Sequence, residues 1–401
     1  MKLNAKTILS LTAIMVLSIL SFGGIVLTQR MSAIRRIRNA GDPVSLLDLK
    51  PKLVSPYDNA ATYLDSIADD AATLYSKINP YTHADQFSWR IGLNESETKK
   101  IEEAFAVYPQ VNTRLDKAAE CTELVRKIDY TMTPSQFSES LLQHAQASKE
   151  FARVSDGYAR YLASTGRPDE AIKIYLRQLC LTRLQERDPC LVSFDVNSAC
   201  LKIAESGLNG LLQTSTLTKE THEAIEEELQ KHNELSRVER AFKSERAFAI
   251  DSLRGIFGNF YIFFGQSLNS LDVLEQHIKM GAKPQFITSR ISPFSADGLA
   301  EVMQSSLRRA RETANRLEAD IRCLRILNAI VAKGTRSETV DINSLGLPNE
   351  ILMDPFSGNP LLNKLLPSGW TIYSVGQDGN DNGGQLKGLK DIGFGPPEEM
   401  E

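Results

Sequence analysis

The residues best suited to chemistry in this chain lie in a loop near the carboxyl terminus that is rich in Asp, Asn and Gly. Asp378 and Asp381 are separated by three positions around a glycine, and Asp391 follows in the next segment. Short carboxylates in such a loop can turn inward on a hard cation, and backbone carbonyls such as that of Val375 can add ligands. One prediction is therefore a structural calcium site formed by Val375, Asp378, Asp381 and Asp391.

The same residue types also predict a loop that needs no metal ion. Asp and Asn side chains fold tight turns by accepting hydrogen bonds from the nearby backbone. The loop follows Trp370–Tyr373, a short aromatic and β-branched run that predicts a strand. Both alternatives place a small β-type module at this end of the chain, and they differ in whether an ion or hydrogen bonds hold the loop.

Elsewhere the sequence contains no recognisable catalytic motif. It lacks the G-x-S-x-G, H-E-x-x-H and phosphate-binding glycine patterns, and its five histidines are dispersed without acids at ligand spacing. His222 and His232 flank a highly acidic helical segment, which predicts surface positions for both. Glu245 and Arg246 lie in an otherwise apolar helix, so each is either exposed or paired within the body. We therefore predict no catalytic residues and no enzymatic activity.

The composition argues against nucleic acid as a partner and against a disulfide framework. The chain has 401 residues and a formal net charge of -4, from 46 basic and 50 acidic side chains that are interspersed. No basic surface is implied by this balance. The five cysteines are scattered without a C-x-x-C pair, which predicts small buried side chains rather than a metal or redox site.

The amino-terminal region predicts a membrane anchor. Residues 7–27 form an uncharged and mostly apolar segment of about twenty residues, which is long enough for a spanning helix. Lys2 and Lys6 precede it, and no small-residue cleavage site interrupts it, so we expect an uncleaved anchor rather than a removed signal peptide. Four further basic residues follow the segment, namely Arg30, Arg35, Arg36 and Arg38.

The flanks of the anchor support two orientations. The basic residues on the two sides nearly balance, and the arginines after the span would by themselves hold the body inside the cell. A Lys-flanked amino-terminal segment is also the ordinary pattern of an exported signal anchor, and a weak calcium site is useful only where calcium is abundant. We expect a single-pass membrane protein whose body is extracytoplasmic.

The rest of the sequence divides into a linker, a helical body and the carboxyl-terminal module. Gly41 and several prolines in residues 40–57 predict an extended linker after the anchor region of residues 1–39. In residues 58–334 apolar side chains recur every three or four positions, which predicts a mainly α domain. Residues 335–401 form the small module with the Asp/Gly loop.

Local signals predict where several helices begin and end. A capping box at Asn94 and Glu97 predicts one helix start, and Thr133 followed by proline predicts another. Asn79–Pro80 predicts the end of the first long helix because a proline disfavours the helical backbone before it. Gly334 predicts the end of the longest helix.

One pair of helical runs resembles half of a tetratricopeptide repeat. Residues 158–175 contain small side chains on both runs with Gly166 between them, as expected where two helices pack closely around a turn. No second copy occurs at the expected period, so a plain helix pair is the preferred prediction. We expect a body of helical hairpins that is only weakly tetratricopeptide-like.

The carboxyl-terminal segment resembles the end of the type II secretion major pseudopilin. The resemblance rests on Asp354–Pro360, Ile372–Gly379 and Asp391–Ile392, and it covers only the last part of the chain. In that family the segment closes a small β-sheet around a calcium ion. The resemblance implies ligand roles for Asp378, Asp381, Asp391 and the Val375 carbonyl. The amino-terminal anchor lacks the pseudopilin processing site, and the loop has its own spacing.

The layout as a whole resembles a group of planctomycetal membrane-anchored helical proteins. These proteins share an amino-terminal membrane helix, a linker like Gly41–Leu46, an Ala-rich helical body and the same DPFSG…YSVG ending. The resemblance covers most of the chain. It implies this architecture without implying a particular activity.

Three functions are compatible with these features. The first is a non-enzymatic envelope scaffold or interaction module that contacts protein partners. The second is an envelope enzyme whose site is assembled from residues far apart in the sequence, and the third is a secretion-system component related to pseudopilins. A pocket lined by convergent polar groups would favour the enzyme, whereas an exposed apolar groove would favour the interaction module.

Overall fold

A computed structural model describes the residues 24–25, 27–82, 92–252, 266–288, 299–334 and 340–396. Most of these residues are helical, and a three-stranded antiparallel sheet lies near the carboxyl end. The predicted class, mainly α with a small carboxyl-terminal β-type module, is confirmed. Nearly all of the predicted anchor lies outside the described residues. Within them, no helix is both long and apolar enough to cross a membrane.

The described helices and strands follow the chain in a simple order. The helices are α1 (27–39), α2 (Ala60–Asp65), α3 (Ala68–Thr82), α4 (Glu95–Val107), α5 (Pro109–Glu120), α6 (Pro134–Ser164), α7 (Pro168–Leu184), α8 (Cys190–Thr214), α9 (Lys219–Leu229), α10 (Glu234–Ser252), α11 (Gln266–Gly281), α12 (Gln285–Thr288), α13 (Leu299–Ala332) and α14 (Asn349–Leu352). The strands are β1 (Leu362–Leu366), β2 (Gly369–Ser374) and β3 (Ile392–Phe394).

Capping side chains set the predicted helix starts. Asn94 and Glu97 form both hydrogen bonds of a capping box ahead of α4, each 2.9 Å long, and Thr133 and Gln136 do the same ahead of α6. Each side chain satisfies a backbone N–H that the first helical turn leaves without a partner. Gly334, which has a φ of 70°, follows the end of α13 as predicted.

One predicted boundary is wrong. The apolar stripe breaks at residues 66–67, between α2 and α3, and α3 continues through Pro80 to Thr82. Proline removes one helical hydrogen bond, but only two residues of α3 follow it. Ile78 and Thr82 are buried and pack on Gly157 of α6, where a Cβ would lie 2.6 Å from Ile78 Cδ1. This packing holds the last turn in place despite the proline.

The largest apolar cluster joins the helical body to the sheet. It contains side chains from α6 to α9 and from α13 together with Trp370, Ile372 and Phe394 of the sheet, and these three are at most 2% exposed. The sheet is antiparallel with β2 in the centre, and β2 and β3 pack on α13. The predicted boundary at residue 335 therefore separates two kinds of secondary structure that share one core.

Part of the predicted linker packs against the body. Val44 and Leu46 are buried, the Leu46 N–H donates to the Asp251 carboxylate, and Asp42 forms an ion pair of 2.8 Å with Arg246. Residues 42–46 therefore follow the surface of α10. The linker also contains two short 3-10 helices, Leu47–Leu49 and Pro56–Asp58, with irregular backbone at residues 50–55 between them.

Candidate functional site

The predicted metal ligands lie in the loop that connects β2 with β3. Asp378 and Asp381 are exposed, whereas Asp391, at the end of the loop, is buried. Val375 is the first residue after β2, and its N–H donates to the Asp354 carboxylate at 3.3 Å. The loop thus starts and ends at residues tied to the core, and its middle projects into solvent.

Two of the carboxylates fold the exposed part of this loop. Asp378 Oδ1 accepts the N–H of Asn380 at 3.0 Å, and Asp381 Oδ1 accepts the N–H of Gly383 at 2.8 Å. The bond from the Asn380 N–H lowers the pKa of the Asp378 carboxyl. The Tyr373 hydroxyl also donates to Asp381, at 3.2 Å. Burial, followed by the charge and hydrogen bond of Asp381, raises the pKa of Tyr373 to about 12.

Asp391 closes the loop from the inside. Its Oδ1 accepts the N–H of Asn382 at 3.3 Å, and its Oδ2 accepts the N–H groups of Gly384 and Gln385 at 2.9 and 3.0 Å. The N–H of Asp391 donates to the Gln385 carbonyl at 3.2 Å. A single buried carboxylate therefore holds three backbone donors, which is sufficient to fix the return of the chain into β3.

The geometry matches a hydrogen-bonded turn more closely than a preassembled metal centre. Calcium takes six to eight oxygen ligands, but Asp391 directs both carboxylate oxygens at backbone N–H groups. In the part of the chain that the structure describes, no three His, Cys, Asp or Glu side chains are grouped as a metal site requires. The calcium ligands Val375, Asp378, Asp381 and Asp391 stay a prediction.

Asp354 is the central polar residue of the module, and sequence reasoning did not assign it a role. Its side chain is 1% exposed. Its Oδ1 accepts from the Phe356 N–H and the Ser374 hydroxyl at 2.8 and 2.7 Å, and its Oδ2 accepts from the Ser357 hydroxyl and the Val375 N–H at 2.9 and 3.3 Å. Asp354 thereby ties the turn before β1 to the end of β2. The Asp-Pro-x-Ser sequence, typical of a side-chain-stabilised turn, was the available signal.

Gln213 of α8 attaches the sheet to the body. Its Nε2 donates to the Trp370 carbonyl at 2.6 Å, and its Oε1 accepts the Trp370 N–H at 3.2 Å. Asn209, one turn earlier, donates to the Gly395 carbonyl at 2.9 Å. Because β3 pairs with β2 only at Ile372–Ser374, the Gln213 amide takes the place of a strand partner for Trp370. This pairing of distant residues leaves no local signal in the sequence.

A cluster of charged side chains lies inside the body between α8, α10 and α13. Glu205 is fully buried, and neither of its oxygens accepts a hydrogen bond. Lys202 Nζ lies 3.6 Å from Glu205 Oε2 and also pairs with the buried Asp320. Burial raises the pKa of Glu205 well above the usual range, which favours its neutral form. Lys202 Nζ also lies 5.4 Å from the centre of the Phe394 ring, so the cluster contacts the sheet.

The surface positions predicted for His222 and His232 are wrong. Both histidines are buried. His222 Nδ1 lies 2.7 Å from Asn328 Oδ1 of α13, and Asn328 donates back to the His222 carbonyl at 3.0 Å. His232 Nδ1 lies 3.5 Å from Glu234 Oε1. The acidic residues of α9 suggested solvent, but the opposite face of this short helix packs into the core.

The pairing alternative for Glu245 and Arg246 is confirmed. Arg246 is 1% exposed and pairs with Asp42 and Glu275. The half-buried Glu245 accepts the Leu191 N–H at 3.1 Å, at the first turn of α8. Both side chains therefore join α10 to neighbouring segments, and both interactions are structural.

Glu245 also borders a polar cleft of about 320 Å³. The other residues that line this cleft include Ser138, Cys190, Asp195 and Arg309. Cys190 has a φ of 72°, the left-handed region that non-glycine residues rarely adopt. Burial, with a contribution from the Glu245 charge, raises the pKa of the Cys190 thiol well above its usual range. A protonated thiol is a poor nucleophile, so the cleft lacks an activated cysteine.

A second cavity of about 420 Å³ is an apolar groove between the linker, α2 and the segment that precedes α6. Leu53 is 94% exposed at its edge. Lining residues include Lys50, Leu53, Val54, Val125, Lys127 and Ile128. The groove combines exposed apolar side chains with basic residues, which are features of protein-binding surfaces.

Comparison with known proteins returned no relative. No family model, no curated protein and no solved structure matches the chain. The resemblances to the pseudopilin ending and to the planctomycetal anchored proteins therefore stay predictions from the sequence.

Proposed function

We propose that the chain is a single-pass, membrane-anchored and non-enzymatic interaction module of the cell envelope, with an extracytoplasmic body of weakly tetratricopeptide-like hairpins. The observation that carries this proposal is the apolar groove beside Leu53, an exposed surface of the kind that binds partners. The polar cleft at Cys190 supports the alternative of an envelope enzyme less well because its thiol is held protonated.

The groove fits an extended peptide segment of a partner protein. Among the described residues, no hydrogen bond uses the backbone of Leu53 or Val54, although both residues line the groove. Unpaired N–H and C=O groups next to apolar side chains are the features that accept an added strand. Lys50 and Lys127 are exposed at the rim, where the only lining acid is Asp65. The favoured partner segment therefore alternates apolar and acidic side chains.

Peptide binding to the full chain in nanodiscs tests the groove. A labelled peptide that alternates Val with Glu is expected to bind, and the matched peptide of Val and Lys is expected to bind more weakly. Leu53→Glu should lower the affinity for the acidic peptide by about tenfold or more, which corresponds to about 1.4 kcal/mol, because it removes an apolar contact at the edge of the groove and adds a charge that repels the glutamates of the peptide. Fluorescence anisotropy measures both values.

The matched control is Val107→Glu, which changes another exposed apolar side chain at the end of α4. This variant should bind the acidic peptide like the unchanged chain. Equal binding of the acidic and basic peptides, or equal losses in the two variants, would contradict the proposed groove.

The calcium ion is a separate proposal that rests on the resemblance and the loop composition. Calcium at about 1 mM is expected to stabilise the protein by about 0.4 to 1.4 kcal/mol if the dissociation constant lies in the range of extracellular modules, roughly 10⁻⁴ to 10⁻³ M. Asp378→Ala should remove this stabilisation. Thermal unfolding with and without calcium is the measurement.

Asp129→Ala serves as the control for the calcium experiment. Asp129 is also exposed and accepts a local N–H, that of Thr131 at 2.8 Å, but it lies far from the loop in sequence. Its replacement should leave the calcium effect intact. An unchanged melting temperature in calcium for the parent protein would leave the hydrogen-bonded turn as the whole explanation of the loop.

A further inference from the structure

Helix α1, which follows the predicted anchor, is fixed to the body along one face. Ile34 and the buried Ile37 pack in a cluster with Val44, Ile250 and Leu271. The buried Arg30 donates to the Ile250 carbonyl at 3.4 Å. Together with the Asp42–Arg246 ion pair, these contacts hold α1 on α10 and α11, so the anchor leads directly into the packed body.

The adjacent face of α1 is exposed, and its character changes along the helix. Leu27, Met31, Arg35 and Arg38 follow one another at steps of four and three residues, so they lie on one side of the helix. Leu27 and Met31 are 48% and 47% exposed. The end nearest the anchor is therefore apolar, and the far end is basic.

The arginines on α1 differ from most arginines of the body. Arg35, Arg36 and Arg38 are exposed, and within the described chain their side chains form no hydrogen bond or close ion pair. Burial raises the pKa of Asp48, but hydrogen bonds from Val44 and Ser45 outweigh this effect and lower it. Arg38 adds only a longer-range attraction to the lowering. By contrast, Arg246 and other body arginines are paired with carboxylates. The guanidinium groups of Arg35, Arg36 and Arg38 are thus available to external anions.

The spacing of Met31 and Arg35 along α1 matches the depth of the headgroup layer. Met31 lies about 6 Å beyond Leu27 along the helix, and Arg35 lies about 6 Å further. The headgroup layer on each side of a bilayer is roughly 5 to 7 Å thick. With Met31 at the boundary of the acyl chains, Arg35 and Arg36 lie about 6 to 7.5 Å further along the helix and come to the level of the lipid phosphates. Arg38 lies about 10.5 Å beyond Met31, and its long side chain can reach back to the phosphates.

We propose that α1 is a membrane-interface element whose three exposed arginines bind the headgroups of anionic phospholipids. The inference rests on the proposed membrane anchor and adds the lipid class and the contacting residues. Because α1 is packed on α10 and α11, lipid binding holds the body against the membrane in a fixed orientation. Lys and Arg side chains next to apolar residues are suited to this position, since their stems stay in the apolar layer while their charges reach the phosphates.

Chemical modification of arginine in the full chain tests this proposal without any substitution. The protein is inserted into phosphatidylcholine vesicles or into vesicles of equal parts phosphatidylcholine and phosphatidylglycerol, and phenylglyoxal modification is followed by peptide mass spectrometry. Phosphatidylglycerol is expected to slow modification of Arg35, Arg36 and Arg38 by about fivefold each, the factor for about 1 kcal/mol per basic residue at an anionic surface. Arg308 and Arg309, exposed on α13, are internal controls that should not change.

High salt and substitution sharpen the interpretation. The protection should fall at high ionic strength because headgroup attraction is screened. Binding of anionic headgroups should make the parent protein more stable in phosphatidylglycerol vesicles than in phosphatidylcholine vesicles. In the variant that combines R35Q, R36Q and R38Q, insertion should persist, but this difference in stability should disappear. Equal modification in both vesicles, or protection of Arg308 and Arg309 to the same degree, would overturn the lipid proposal and leave the anchor intact. A chain that fails to sediment with either vesicle would overturn the anchor and the lipid proposal together.

Discussion

Asp354→Ala is expected to lower the free energy of unfolding by about 3 to 5 kcal/mol, because several buried hydrogen-bond donors lose the acceptor that they share. The substitution leaves two backbone N–H groups and two hydroxyls without their acceptor. Each unsatisfied buried donor costs about 1 to 3 kcal/mol, partly relieved by water that enters the gap. Urea unfolding measures the loss, and hydrogen exchange of the β2 amides shows whether the sheet loosens before the helices.

Asp354→Asn and Asp378→Ala complete this experiment. Asn retains one acceptor oxygen, so we expect an intermediate loss. Asp378 is exposed and holds a single local N–H, so its replacement in calcium-free buffer should cost only about 0.5 to 1 kcal/mol. Equal losses for Asp354→Ala and Asp378→Ala would show that Asp354 does not organise the module.

Unlike Asp354→Ala, the substitution Glu205→Gln is expected to raise the free energy of unfolding at neutral and alkaline pH. The folded-state pKa of Glu205 is raised above its ordinary value of 4.5 because burial disfavours the charged form. Below that ordinary value, the carboxyl is neutral in both the folded and unfolded states, and the substitution changes little. As pH rises above it, the unfolded chain releases the proton first, so the stability of the parent protein falls until the folded-state pKa is reached.

The Gln variant has no carboxyl group to ionise at this position, so its stability should not fall with rising pH in the same way. The difference in unfolding free energy should grow by about 1.4 kcal/mol for each pH unit between the ordinary and the folded-state pKa of Glu205. Urea unfolding across a pH series provides the measurement, and Glu220→Gln on the exposed side of α9 provides the control. If Glu205→Gln is less stable at every pH, Glu205 is instead ionised and its pairing with Lys202 is favourable.

Asp354 and Glu205 both contribute to the connection between the sheet and the helical body. Asp354 organises the sheet internally, while the cluster that contains Glu205 reaches the sheet through Lys202 and Phe394. Gln213 adds a direct connection from α8 to β2. The body and the module are therefore expected to unfold together.

The sequence by itself determined the features that depend on neighbours in the chain. The capping boxes at Asn94 and Thr133 form because the donor and acceptor are three residues apart. The Asp/Gly loop follows the same principle, since Asp378 and Asp381 bind N–H groups two residues later. The mainly α class and the strand at Trp370 could likewise be predicted from periodicity and side-chain type.

Only the tertiary structure decided which residues are buried and which partners they find. The acidic residues around His222 indicated a surface helix, yet its imidazole meets Asn328, which is 106 positions away. Pro80 failed to end α3 because Ile78 and Thr82 pack on Gly157 of another helix. Asp354 and Gln213 gained their roles from segments that folding brings together. Burial and long-range hydrogen bonds depend on the packing of the whole chain, so local sequence patterns do not predict them.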